Sequence, residues 1–112
     1  MKKYIKDGKV AILIADDYGA GWSTCNTEYP EILYDTGIID LLLNHPKNSD
    51  DDLDEMYEKI ETICKLKYPD ISTLDIDTLE VKWLDVGTKF IITEEDGLEV
   101  LQTIDDIKWM TA

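Results

Sequence analysis

Two cysteines, one histidine and three prolines leave this 112-residue chain poor in the residues that several classes of protein are built from. Cys25 and Cys64 make no metal-ligand spacing with each other or with His45, and a pair of thiols with no signal peptide reads as reduced cysteine in or near a core. His45 is followed by Pro46 at the end of an apolar stretch, with no serine or cysteine at motif spacing to make it a catalytic base. Basic charge is scarce as well: 11 Lys+Arg stand against 25 Asp+Glu, a formal charge of −14. Such a balance repels phosphate backbones and anionic bilayers at long range, so direct nucleic-acid binding and membrane partners are not expected. No apolar run approaches the eighteen or so residues of a membrane span. Met1-Lys-Lys opens like a secretory leader, but Lys6, Asp7, Gly8 and Lys9 interrupt the apolar part and no cleavage pattern follows. A cytoplasmic protein is expected, with no metal and no cofactor.

Disorder is also disfavoured. With 44% hydrophobic and 9% aromatic residues, the acidity is a charged coat on a folded chain, and residues 1–112 have the length of one domain with one core. That chain is organised around residues 9–24. Lys9-Val-Ala-Ile-Leu-Ile-Ala15 is an unbroken apolar run, the pattern of a strand covered on both faces. It ends in Asp16-Asp-Tyr-Gly-Ala-Gly-Trp-Ser-Thr24, whose glycines permit positive φ or close approach of a ligand to the backbone.

Elsewhere the periodicities are legible. Asp7-Gly8 reads as a turn, and residues 28–34 as a short helix with Pro30 in its first turn. Asp35-Thr36-Gly37 interrupts it, and Ile38-Ile39-Asp40-Leu41-Leu42-Leu43 resumes as a helical piece stopped by His45-Pro46. Ser49 or Asp50 caps a helix to about Tyr68, with Leu53, Met56, Tyr57, Ile60, Ile63 and Cys64 on its apolar stripe. From Leu79 the period becomes two: strands around 79–84, 89–93 and 98–103 form a meander, with Ile107–Met110 as a further short strand or edge. The fold class is α+β: one buried N-terminal strand, two to three helices and a C-terminal antiparallel β-meander, with the helices on one face of the sheet.

The chemistry concentrates in the loop. Gly19 and Gly21 free amides to meet a phosphate or oxyanion, Ser23 and Thr24 can donate hydrogen bonds, Tyr18 or Trp22 can stack on a base, and Asp16 can orient a cationic or hydroxyl-bearing ligand. Neither a dinucleotide fingerprint nor a Walker loop is present. The structural alternative is a tight turn in which Trp22 caps the core and the hydroxyls cap the next helix. Asp50-Asp51-Asp52 lacks the glycine and glutamate of a calcium loop and is assigned to helix capping. No catalytic residue is assigned, although Asp16 and Glu94 could meet in space for acid–base chemistry.

Two stretches together, Val10–Asn26 with its Tyr-Gly-Ala-Gly-Trp-Ser-Thr core and Trp83–Glu99 with Gly87-Thr-Lys-Phe90, resemble small uncharacterised proteins encoded by phages and prophages. Between Glu94 and Asp96, where that resemblance implies an aromatic, this chain has Glu95. The resemblance implies an accessory phage gene acting in the host cytoplasm against host defence. The leading expectation is a non-enzymatic protein that sequesters a small, nucleotide-derived host signal at residues 16–24. The alternative is an acidic inhibitor that covers the basic groove of a host nuclease or effector, with the helix at 50–67 as its array. A small-metabolite hydrolase and a homo-oligomer are further possibilities.

Overall fold

A computed structural model, which describes residues 2–73, 75–103 and 112, has the α+β architecture expected: two helices and five strands in two antiparallel sheets. Strand β1 (Ile5–Lys6) and the long β2 (Lys9–Ala15) form a hairpin. Its two-residue turn, Asp7-Gly8, holds both residues at positive φ, 53° and 76°, the twist that such hairpins favour.

From Ala11 to Ala15, β2 is buried at every position, so its backbone groups must find partners within the protein. The short β1 reaches only one end of it. Strand β3 (Leu79–Asp85) supplies the rest, pairing antiparallel from Lys9↔Asp85 to Ala15↔Leu79. The chain therefore departs from the expected meander: β3 belongs to β2, while β4 (Phe90–Glu95) and β5 (Leu98–Thr103) form a separate hairpin. The turn after β3 is fixed by Val86 N–H donating to the Gly8 carbonyl (2.9 Å) and Thr88 N–H to that of Asp85 (3.0 Å). The stretch Ile107–Met110, a candidate strand by sequence, lies outside the described residues.

Helix α1 (Thr36–Asn44) and α2 (Asp50–Lys67) lie on one face of the three-stranded sheet. Ala11, Leu13 and Ala15 meet Ile38, Ile39, Met56 and Ile60 there. Ile12 and Ile14 point to the opposite face by strand alternation, and β5 packs against β2. Residues Pro30–Tyr34 form a 3-10 turn ahead of α1.

Asp35, read from sequence as an interruption, is the N-cap of α1 and accepts from Ile38 N–H at 2.9 Å. Its carboxylate also accepts from the Tyr68 hydroxyl and from Lys67 Nζ, so it fastens the start of α1 to the end of α2. Ser49 caps α2 by accepting from Asp52 N–H (3.2 Å), and Asn48 N–H donates back to Asp52 (3.1 Å).

Ile60 is fully buried and Asp54 exposed on the same helix. Ile60→Ala should lower unfolding free energy by about 2 to 5 kcal/mol and Asp54→Ala by less than about 0.5 kcal/mol, measured by urea denaturation. Burial, then the negative charges of Asp35 and Glu61, push the Cys64 thiol from 9.0 up to about 11. Burial and its bond to Asp35 raise Tyr68 in the same direction. Because the unfolded chain gives up these protons first, stability should be full below pH 9.0 and fall as pH rises toward about 11. Cys64→Val should make that fall shallower, and native protein should react with a thiol reagent at the exposed Cys25 alone.

Candidate functional site

The loop that follows β2 gathers amides as its glycines suggest, and two carboxylates from distant parts of the same chain fill it. Glu99, on β5, is 2% exposed. Its Oε1 accepts from Ala15 N–H (2.8 Å), and its Oε2 accepts from Trp22 N–H (3.0 Å), Thr24 N–H (3.0 Å) and the Thr24 hydroxyl (2.6 Å). Asp75, just before a 3-10 turn at Ile76–Thr78, accepts from Ala20 N–H (2.7 Å) and Gly21 N–H. Gly19 N–H donates to the Asp96 carbonyl (2.8 Å) in the β4–β5 turn, and Asp16 N–H to Thr78 (3.0 Å). Charge-assisted bonds of this kind are roughly twice as strong as neutral ones.

The glycines are explained by close approach. A Cβ on Gly19 would collide with the Asp75 carboxylate, and one on Gly97 with the Gly19 backbone. Gly21 and Gly97 also sit at positive φ, 88° and 83°. What comes close to the backbone here is the protein's own turn and its own carboxylates.

Trp22 is wholly buried. Its indole N–H donates to the Ile32 carbonyl (3.1 Å), while its own carbonyl accepts from Cys25 N–H, Asn26 N–H and the Asn26 side chain. The ring thus presents no face to solvent. Tyr18 does, at 65% exposure, and Asp16 and Asp17 are exposed beside it. Ser23 and Thr24 are half-buried, with the Thr24 hydroxyl committed to Glu99. Of the sequence-derived residues, Gly21, Trp22 and Thr24 converge on the two internal carboxylates, while Asp16 and Tyr18 face outward. Glu94 caps its own turn by accepting from Gly97 N–H (2.6 Å). His45 Nδ1 bonds the Pro46 carbonyl (2.8 Å), with Nε2 3.9 Å from Glu55. Among the described residues no group of three or more His, Cys, Asp or Glu side chains could hold a metal ion, and no helix is long and apolar enough to cross a membrane.

Glu99 and Asp75 carried no sequence signal. In β5, hydropathy argues for burying Val100 and exposing Glu99, yet Val100 is 42% exposed and Glu99 is buried. No known protein family, curated protein or solved structure matches the chain.

Removing a carboxylate that satisfies buried donors leaves each of them without a partner, at about 1 to 3 kcal/mol apiece. Glu99→Ala should therefore cost about 3 kcal/mol or more, and Glu99→Gln, which keeps one acceptor oxygen, less, as read from urea midpoints. Gly87 offers a comparison, since it has φ +88° but open space around its Cβ position. Gly97→Ala should destabilise clearly more than Gly87→Ala, the difference measuring the approach to Gly19.

Proposed function

We propose that the chain is a non-enzymatic inhibitor that acts through its acidic face, covering the basic, nucleic-acid-binding surface of a host protein, in the phage counter-defence setting that the sequence resemblance implies. One observation carries this reading. The exposed face of α2 holds Asp50, Asp51, Asp54, Glu55 and Glu58, including like-charged neighbours four residues apart at 50/54, 51/55 and 54/58. Each such pair destabilises a helix by about 0.2 to 0.5 kcal/mol. The helix dipole rewards acid in the first turn only, so it explains Asp50 and Asp51 but not the continuation to Glu58. Of the carboxylates on α2, only Glu55 is ion-paired among the described residues, with Lys59 at 3.3 Å and His45 at 3.9 Å.

An array of this kind suits a cationic partner. Opposite charge on the partner relieves the self-repulsion and steers encounter, and such association slows steeply with salt. The expectation of a small ligand in the 16–24 loop has less support, because a phosphate entering there must displace Asp75 or Glu99 from the amides they occupy.

The test uses bacteria whose nuclease-based defence blocks a phage. Expression of the chain should restore plaque formation, and the Asp51→Lys/Asp54→Lys/Glu58→Lys variant should not, while still unfolding cooperatively as a folded protein. Purified chain should inhibit the nuclease less as salt rises. A folded triple variant that still restores plaques would refute the acidic-face reading.

A further inference from the structure

The opposite charge is concentrated at the other end of the sheet. Lys2, Lys3, Lys6 and Lys9 place four of the 11 basic residues within the first nine positions. The β1–β2 register sets Lys6 directly across from Lys9. Like charges directly opposed on a hairpin are destabilising; on its other side Lys9 is in register with Asp85 of β3, but neither ammonium has a carboxylate within ion-pair distance among the described residues, whose ion-paired lysines are Lys59, Lys67 and Lys82. A bound anion between them would remove the conflict.

The same two lysines line an open groove of about 610 Å³ with the rings of Tyr4 and Trp83 and the C-terminal residues Leu43 and Asn44 of α1. Tyr4 and Trp83 meet edge to face, centroids 6.0 Å apart, and both are half-buried. Each residue therefore packs against the core and also lines the groove. Asp7, in the hairpin turn, is the carboxylate on the rim. The negative end of α1, which would repel an anion, is covered: Lys47 Nζ donates to the Leu42 and His45 carbonyls. Lys9 and Trp83 also border a second depression of about 640 Å³ that brings in Lys89 together with Asp85.

We infer that this groove binds a small phosphorylated molecule carrying a planar ring, a nucleoside phosphate by chemical class, with the ring against Trp83 and the phosphates between Lys6 and Lys9. Stacking and lysine contacts to phosphate are the two elements of such recognition. The net charge of −14 selects a compact anion over a long polyanion, whose distant phosphates would meet the acidic coat. This site is independent of the acidic face on α2, and either can stand without the other.

Calorimetric titration with ATP, adenosine and inorganic triphosphate at physiological salt tests it. ATP should bind saturably, with adenosine and triphosphate each weaker by about tenfold or more, a loss of roughly 1.4 kcal/mol. Lys6→Gln/Lys9→Gln should weaken ATP binding by about tenfold or more while raising the unfolding midpoint slightly, since it removes the opposed charges, whereas Lys59→Gln/Lys65→Gln, the same charge change on α2, should leave binding within about twofold in a folded protein. Trp83→Leu should weaken ATP by about fivefold or more. Absence of saturable ATP binding would overturn the inference. So would equal losses in the two lysine pairs, triphosphate binding as tightly as ATP, or a single-stranded oligonucleotide binding more tightly than ATP with steep salt dependence.

Discussion

The Glu99 carboxylate is the contact on which the rest of the arrangement depends. It lies on a hairpin that shares no backbone ladder with the main sheet, and it reaches across to the last amide of β2 and to two amides and a hydroxyl of the loop beyond. One side chain therefore sets where the hairpin sits and how the loop closes. A buried carboxylate without partners carries a desolvation penalty of several kcal/mol. Here four donors answer it, and among the described residues no buried side-chain polar atom is left unsatisfied. Asp75 repeats the arrangement one turn earlier in the loop.

This closure decides what the loop can do. Concave groups of backbone amides made by glycine-rich turns ordinarily attract anions, and this one does so with anions carried by the chain. The same event buries Trp22, because the loop folds back and hands its indole N–H to Ile32. The two candidate surfaces that stay open lie elsewhere and are opposite in sign. Acid accumulates along α2 beyond what its dipole rewards, and lysines face each other across the β1–β2 hairpin. In both, like charges are held close together, a local conflict of the kind that recurs where a surface is shaped for a partner.

Much of the fold was legible in the residues. The run Val10–Ile14 announces a buried strand, the three- and four-residue spacing of Leu53 to Cys64 announces α2, and Ser49 marks its start. These signals survive because each is local: periodicity against one core face, or a cap within one turn. The separate status of the β4–β5 hairpin was not legible, since alternation identifies a strand without identifying its neighbour. Pairing of β3 with β2 follows from the need of a doubly buried strand for backbone partners, a need that arises only once the helices and the hairpin cover it.

The location of a conformationally special loop at 16–24 was likewise determined by sequence alone, because glycines at 19 and 21 beside a buried strand require close approach by something. Tertiary structure decided what approaches. Asp75 lies more than fifty residues from the loop and Glu99 more than seventy, and in the linear chain both belong to an acidic coat of 25 carboxylates with nothing to distinguish them. Their burial reverses the hydropathy of their own surroundings, since the free energy of six donated hydrogen bonds from five buried or part-buried amides and a hydroxyl outweighs the preference of a carboxylate for water, and those donors exist in one place only after the chain has folded.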